Sequence, residues 1–333
     1  GATSIAAGDS HSLVVVGGTA HSCGGNQYGQ LGDNTSSDTQ IADLLIGVNG
    51  GVGGQALLEG VDKVYGRANQ SFALMSEDGS IYSWGANDSG QLGRAIEDSG
   101  YYFTPGRVGN VEGGSSLTNA IDIAPGRYHT LILMDDNTVR VMGSNQYGQL
   151  GYAFNTGDLS RPIIPYGVTG RNGVYGAVPL FEDSTNPEGA GADSLQISDA
   201  LAIAAGDYHS IIIRGTREEV SEEDAKKGVV GDIISSEAYI FGRNNAGQLA
   251  VAAGTVFTNA LGVQTTTTTA GSNKYHKVNL NRDESVLTAS GGSNFTGVVD
   301  LKGRIYAFGG NELGQLGEMS NLNRDKADVN LGS

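Results

Sequence analysis

Cysteine occurs once in these 333 residues, at Cys23, and tryptophan once, at Trp84. A single cysteine excludes an internal disulfide and leaves the compartment open. Basic residues are scarce: 20 Lys and Arg stand against 36 Asp and Glu, a net charge of −16, with no basic run. A nucleic-acid binder presents clustered Lys and Arg to phosphate, so that class is excluded. Anionic lipid surfaces are disfavoured for the same reason. The charge favours a protein partner with a basic surface, because complementary fields speed encounter and aid selection. No stretch reaches the ~18 apolar residues that a membrane helix needs, so no membrane insertion is expected. There is no opening Met and no readable signal or transit segment. The first residues already sit inside a repeat, which reads as a processed chain or a fragment. No His, Cys or carboxylate spacing suggests zinc or a calcium loop, and no cofactor is expected.

What the chain has in abundance is glycine, 53 residues, set in a repeating pattern. One eight-residue turn recurs five times: GNQYGQLG from Gly25, ANDSGQLG from Ala86, SNQYGQLG from Ser144, RNNAGQLA from Arg243 and GNELGQLG from Gly310. Each copy follows an apolar residue and a glycine: Cys23-Gly24, Trp84-Gly85, Met142-Gly143, Phe241-Gly242 and Phe308-Gly309. Measured at Leu31, Leu92, Leu150, Leu249 and Leu316, the turns lie 61, 58, 99 and 67 residues apart. Upstream, a Gly-x-x-His-Ser/Thr segment opens most copies, as in Gly8 to Ser12, Gly126 to Thr130 and Gly206 to Ser210. The second copy carries Arg67 where the others have that Gly. Apolar, β-branched runs separated by Gly, Asn and Asp turns are strand-turn-strand signals. Four-stranded units repeated along a chain are the signature of propeller blades. In the turn, Asn tolerates a left-handed conformation and can bond its own backbone two residues on, Gln can bridge a buried corner, and Leu is a core plug. Cys23 and Trp84 hold the same slot, which marks both as core residues.

The combination of Gly-x-x-His-Ser/Thr with aromatic-Gly-x-Asn-x-x-Gly-Gln-Leu-Gly closely resembles the repeat of the regulator of chromosome condensation family, over nearly the whole chain. The resemblance implies an all-β propeller of four-stranded blades, a single domain over residues 1–333. With five repeats visible, it is either a five-bladed ring or part of a larger propeller of the seven-bladed type. The last strand, near Val329, is expected to pair in the blade of residues 5–24 and so remove an open edge. The family's roles imply three functions: nucleotide exchange on a small GTPase, light sensing by clustered tryptophans, and protein binding by a rigid face. The lone Trp84 argues against the second.

Departures from the repeat are where function is most often placed. Residues 47–60 are a glycine-rich loop that lacks the Gly-Lys-Ser/Thr ending of a phosphate cradle. Residues 152–199 form a long connection between blades. Residues 215–237 insert into the fourth blade and are acidic, with Glu218, Glu219, Glu222, Glu223 and Asp224; Ser221 to Asp224 resembles a capping box. This insertion is a solvated hairpin extension or an acidic protrusion for a basic partner. The variable pairs of the Gly-x-x-His segment supply a second candidate surface, Arg127, Tyr128 and Tyr208, since Tyr and Arg are enriched at binding hot spots. A further set lies in the middle of the turns, including Tyr28 and Tyr147. His11-Ser12, His129-Thr130 and His209-Ser210 are not read as catalytic pairs. Neighbours on a strand point to opposite faces, and a residue repeated at one slot serves the fold. The sequence therefore reads as a non-catalytic interaction or scaffold propeller, a subunit of a larger assembly, with a guanine-nucleotide exchange factor as the alternative.

Overall fold

A computed structural model describes residues 1–45, 47–48, 56–94, 100–109, 116–151, 174–180, 196–221, 223–224, 227, 229–251, 256–258, 264–266, 271–280, 284–317 and 322–330. The chain divides into two compact units, residues 1–146 with 153–196, and residues 147–152 with 197–333.

The first unit holds three four-stranded antiparallel sheets. In the first are β1 (Ala2–Ala7), β2 (His11–Val16), β3 (Thr19–Gly24) and β4 (Thr39–Leu45). A small ribbon follows, β5 (Gly47–Val48) with β6 (Ala56–Leu57), inside the glycine-rich loop. The second sheet comprises β7 (Val61–Arg67), β8 (Gln70–Met75), β9 (Ile81–Ala86) and β10 (Tyr101–Arg107). The third comprises β11 (Ala120–Pro125), β12 (His129–Met134), β13 (Val139–Gly143) and β14 (Val174–Pro179). The outer strand β14 thus comes from the long connection, the rest of which, apart from residues 180 and 196–199, lies outside the described residues.

The second unit holds two such sheets. One joins β15 (Ala200–Ala205), β16 (His209–Arg217), β17 (Ile233–Gly242) and, after the ribbon of β18 (Val256–Thr258) and β19 (Gln264–Thr266), β20 (Ser272–Lys277). The other joins β21 (Val286–Gly291), β22 (Phe295–Asp300), β23 (Ile305–Gly309) and β24 (Arg324–Asn330). All five sheets run in sequence order, the plan of a propeller blade.

The C-terminal strand does not pair where the sequence pointed. β24 lies against β23, with Tyr306 opposite Asn330 and Ala307 opposite Val329. β4 already closes the first sheet. Each blade takes its outer strand from the segment between its own Asn turn and the next blade.

Hairpin chemistry fixes the register. Asp78 Oδ1 accepts the Ser80 amide at 2.8 Å and Gly79 takes φ 62°; Asp136 Oδ1 accepts the Thr138 amide at 3.0 Å and Asn137 takes φ 60°. Between sheets the core is apolar. Leu13, Val15 and Ala20 of the first sheet meet Val61, Val64, Ala73 and Trp84 of the second. Phe72, Leu74 and Ile81 then meet Ile123, Ile132 and Met142 of the third. Ile211, Ile213 and Ile240 meet Val298, Tyr306 and Phe308 in the second unit. Trp84 is fully buried, as its slot required, and its Nε1–H donates to Gln30 O at 2.9 Å. Cys23 departs from expectation: it is only half-buried, although Met142, Phe241 and Phe308 at the same slot are enclosed.

One repeat position is strained. The glycine closing the turn has positive φ at Gly32, Gly93, Gly151 and Gly317, and the fourth copy puts Ala250 there at φ 56°. A left-handed alanine costs ~1–2 kcal/mol, against ~0.4–1 kcal/mol for the extra freedom glycine gives the unfolded chain. Ala250→Gly is therefore expected to raise the unfolding free energy by about 0.5–1 kcal/mol. Denaturant titration at constant m-value checks this.

Candidate functional site

The five Asn turns share one set of bonds. The Gln Oε1 accepts the amide two residues earlier, Tyr28, Ser89, Tyr147, Ala246 or Leu313, at 2.8–2.9 Å. The Asn does not bond two residues on, nor does it take positive φ. Its Oδ1 accepts the amide of the Leu five residues on, in Asn26–Leu31, Asn87–Leu92, Asn244–Leu249 and Asn311–Leu316, at 2.9–3.1 Å. The left-handed positions are the glycines Gly29, Gly90, Gly148, Gly247 and Gly314. A buried Asn clamp spanning the turn leaves the bend itself to glycine.

The first four turns then give their Gln carbonyl to a Ser or Thr on the following blade. Ser71 Oγ donates to Gln30 O, Thr130 Oγ1 to Gln91 O, Ser210 Oγ to Gln149 O and Thr296 Oγ1 to Gln248 O, at 2.7–3.0 Å. His11 Nε2 stands 2.8 Å from Ser71 Oγ, and His209 Nε2 stands 2.9 Å from Thr296 Oγ1. The partner of each histidine is thus a hydroxyl on the next blade. Because Ser71 gives its proton to a main-chain carbonyl, His11 must donate its Nε2–H. Such a histidine cannot act as base toward that serine. Both groups are buried. Burial lowers the His11 pKa to about 4, opposed in part by the Asp9 charge. His276, on β20, is lowered to about 4 by burial and bonds Ser272 Oγ at 2.7 Å. Among the described residues no group of three or more His, Cys, Asp and Glu could hold a metal ion.

The candidate contact residues fall in three places. Arg127 reaches across to the first sheet, its Nη2 2.7 Å from Asp9 Oδ2. Neighbouring Tyr128 uses its carbonyl to accept the Ser144 amide at 2.7 Å. Tyr208, in the second unit, packs edge-on against Tyr147 at 5.4 Å between ring centroids, and the Arg243 guanidinium lies 5.0 Å from the Tyr147 ring and 5.1 Å from the Tyr208 ring. This Arg243 cluster escaped sequence reasoning. Its signal was Arg243 itself, which fills a turn position held elsewhere by Gly25, Ala86, Ser144 and Gly310.

The third place is the insertion. Other hairpins between second and third strands of a blade turn tightly, as at Gly17-Gly18. Here β16 and β17 run on, with Gly215 opposite Ser236, Thr216 opposite Ser235 and Arg217 opposite Ile233. Past the last pair, Glu218 N donates to Asp232 O at 2.8 Å. At the tip, Ser221 Oγ accepts the Asp224 amide at 3.1 Å, the N-cap half of the expected capping box, and donates to Asp224 Oδ2 at 2.6 Å. Lys227 Nζ lies 2.7 Å from Glu223 Oε1 and 3.7 Å from Asp224 Oδ1. Glu218, Glu219, Glu223 and Asp232 are exposed; Glu222 lies outside the described residues. Sequence reasoning missed the apolar part of this ribbon: Val230 is 67% and Ile234 62% exposed, with Val229 beside them. At the base of the ribbon lies a polar groove of about 500 Å³, where Arg214 Nε pairs with Asp199 at 2.6 Å and Lys277 with Glu237 at 2.5 Å.

Known proteins carry the same repeat. Residues 78–133 and 120–149 match the family described as the regulator of chromosome condensation (RCC1) repeat. The human probable E3 ubiquitin-protein ligase HERC6 is 25% identical over 315 residues, covering 94% of this chain and 24% of that protein. The X-linked retinitis pigmentosa GTPase regulator homolog of Caenorhabditis elegans is 33% identical over 149 residues, 44% of this chain and 10% of that protein. The Arabidopsis thaliana ultraviolet-B receptor UVR8 is 25% identical over 341 residues, 96% of this chain and 68% of that protein. The chain thus spans about a quarter of HERC6 and a tenth of the GTPase regulator homolog. Among solved structures, human WBSCR16 superposes with a TM-score of 0.65 at 17% identity, over all of this chain and 67% of that one. Yeast RCC1 (Prp20), solved with Kap60 bound, superposes with a TM-score of 0.54 at 17% identity, over 99% of this chain and 74% of that one. The chain is an all-β protein of four-stranded propeller blades, and its residues 78–149 match regulator of chromosome condensation repeats.

Proposed function

We propose that this chain is a non-catalytic protein-interaction module, part of a larger assembly, that binds a partner with a basic surface through the β16–β17 ribbon. The ribbon carries this reading. It is the place where a blade hairpin leaves the repeat plan, and it presents exposed Val230 and Ile234 beside Glu218, Glu219 and Asp232. An apolar centre rimmed by charge is the anatomy of a specific interface, with the charges acting on encounter and the apolar contact on lifetime. Arg127 with Tyr128 in the first unit, and Tyr208 in the second, are separate secondary contact points in this reading. His11 and His209 are spent on inter-blade bonds to Ser71 and Thr296, so neither offers proton-transfer machinery. Trp84, the one tryptophan, is committed to Gln30 in the core, which opposes light sensing.

Reversing charge with Glu218→Lys, Glu219→Lys and Glu223→Lys together is expected to weaken partner binding and flatten its salt dependence, with an unchanged melting temperature. These side chains are exposed, and surface changes cost little stability. Binding that is as strong and as salt-sensitive as before removes the ribbon from the proposal.

The alternative, guanine-nucleotide exchange on a small GTPase, draws on the similarity to a GTPase regulator homolog. Accelerated nucleotide release from a captured GTPase would put it first; retention of nucleotide on a stably bound partner would leave the interaction module in place.

A further inference from the structure

Backbone bonds bring the same positions together in successive blades. The residue after each aromatic-Gly pair donates its amide to the carbonyl of the residue before the histidine slot, as Ser144 does to Tyr128 at 2.7 Å and Arg243 to Tyr208 at 2.9 Å. The Gln of the preceding turn lies against the same corner. A Cβ at Gly143 would stand 3.2 Å from Gln91 Cα, and one at Gly242 would stand 3.2 Å from Gln149 Cβ. The middle of that turn supplies the third position. One corner thus carries Ser89, Tyr128 and Ser144, and the next carries Tyr147, Tyr208 and Arg243. The fold repeats the corner, and here it holds a cation between two aromatic rings. Tyr147, Tyr208 and Arg243 all belong to the second compact unit.

Arg243 is held differently from its counterparts elsewhere. Arg107, Arg127, Arg214 and Arg304 each stand 2.6–3.8 Å from a carboxylate. Arg94 and Arg217 donate to main-chain carbonyls. Among the described residues no carboxylate or carbonyl meets the Arg243 guanidinium, although the chain carries 36 Asp and Glu. Its side-chain partners are the rings of Tyr147 and Tyr208, at 5.0 and 5.1 Å. All three residues are half-buried. Stacking uses the face of a guanidinium and leaves its rim of N–H donors for a planar acceptor with two oxygens. The two rings also order the side chain before a ligand arrives, which removes part of the entropy cost of binding.

We infer that Arg243, clamped by Tyr147 and Tyr208, is a binding site for a carboxylate of a partner polypeptide, with the guanidinium donating two parallel N–H bonds to its two oxygens. The net charge of −16 repels a polyacidic segment, so the site suits a single carboxylate on a segment that is otherwise neutral or basic. The tyrosine rings give an apolar side chain of that segment a surface to pack on. Tyr and Arg are the residue types that carry much of the energy of interfaces. A chain-terminal carboxylate and an Asp or Glu side chain share this chemistry. The site follows the last residue of β17, at the opposite end of that strand from the acidic ribbon, and stands independently of the function proposed for the ribbon.

The test is titration of the full chain with three forms of one short peptide, acetyl-Ala-Phe-Gly-Ala: with a free C-terminal carboxylate, amidated, and amidated with Glu in place of Gly. Inorganic phosphate is the fourth probe. The NMR resonances of the Arg243 Nε–H and of the Tyr147 ring report binding. At least one carboxylate peptide is expected to shift both resonances to saturation, and the amidated neutral peptide is expected to leave them in place. A response to the free C-terminus alone, or to the Glu peptide alone, identifies the source of the carboxylate. Arg243→Ser should abolish the response of the Tyr147 ring; Ser144 holds this position in the neighbouring blade, so the variant keeps the fold. Arg243→Lys should weaken binding about tenfold, because an ammonium cannot form the paired bonds. The inference is overturned by equal shifts from the amidated neutral peptide, by a response to phosphate alone, or by no shift from either carboxylate peptide at millimolar concentration. Binding that survives Arg243→Ser overturns it as well.

Discussion

Gly242→Ala is expected to cost about 3 kcal/mol or more of unfolding free energy, a large share of the ~5–15 kcal/mol that holds a typical domain. Gly242 follows Phe241 at the end of β17, with φ 111°. A Cβ there would lie 2.5 Å from the Tyr208 carbonyl oxygen, 2.7 Å from His209 Cα and 3.2 Å from Gln149 Cβ. The nearest atoms are backbone and cannot swing aside. Two costs add: ~1–3 kcal/mol for a glycine-only conformation and ~1–3 kcal/mol for overpacking. The same geometry recurs at Gly24, Gly85, Gly143 and Gly309, each with φ between 96° and 111° and a carbonyl oxygen within 2.5 Å of the added carbon. Gly297→Ala is the control: nothing lies within 4 Å of its Cβ position, and a change within ~0.5 kcal/mol is expected. Urea unfolding of both variants decides it. Equal, small effects would mean that the blades relax around the slot.

Acidification is expected to weaken the fold between pH 6.5 and 4 through two buried histidines. His11 and His276 titrate at about 4 in the folded chain, against about 6.5 when exposed. Below pH 6.5 the unfolded chain takes up protons that the folded chain does not, so stability is full above that pH and falls as pH drops toward 4. Each histidine accounts for ~1.4 kcal/mol per pH unit in this window, or roughly 3 kcal/mol by pH 4. Carboxylates add their own acid dependence, so the informative quantity is a difference. The second blade shows which substitution to use: Gln70 fills the histidine slot there, buried, and donates through Nε2 to the Gly126 carbonyl. His11→Gln should leave stability at pH 7 little changed and remove one histidine's share of the loss at pH 4.5. An unchanged difference between the two pH values would mean that His11 is protonated in the fold.

The blade was legible because its marks are local. Aromatic-Gly, Asn, Gln and Leu at fixed offsets announce strand, turn and core plug within a few residues, and the bond from the Asp224 amide to Ser221 Oγ could be read in the same way. The clamp from Asn26 to the Leu31 amide was not legible, since residue type alone does not say whether Asn bends the chain or spans a bend made by Gly29. The partner of β24 was misassigned because a strand's sequence fits any open edge; each blade takes its outer strand from the segment that follows its own Asn turn. Cys23 looked like a core residue because its slot is one, yet it is only half-buried. At the candidate site the acids of the insertion were plain in the sequence. The exposure of Val230 and Ile234 and the convergence of Tyr147, Tyr208 and Arg243 depend on strand register, which no local motif encodes.

In the proposed function the β16–β17 ribbon recruits a protein. It is tested most directly by replacing residues 217–233 with a tight turn like that of Asp135 to Thr138. Intact and shortened chains would then be used side by side to capture partners from the native source, with amounts measured by mass spectrometry. One stoichiometric partner, rich in basic surface, is expected to be held by the intact chain, released by salt and absent from the equally stable shortened chain. The same partner recovered in equal amount by both chains would contradict it.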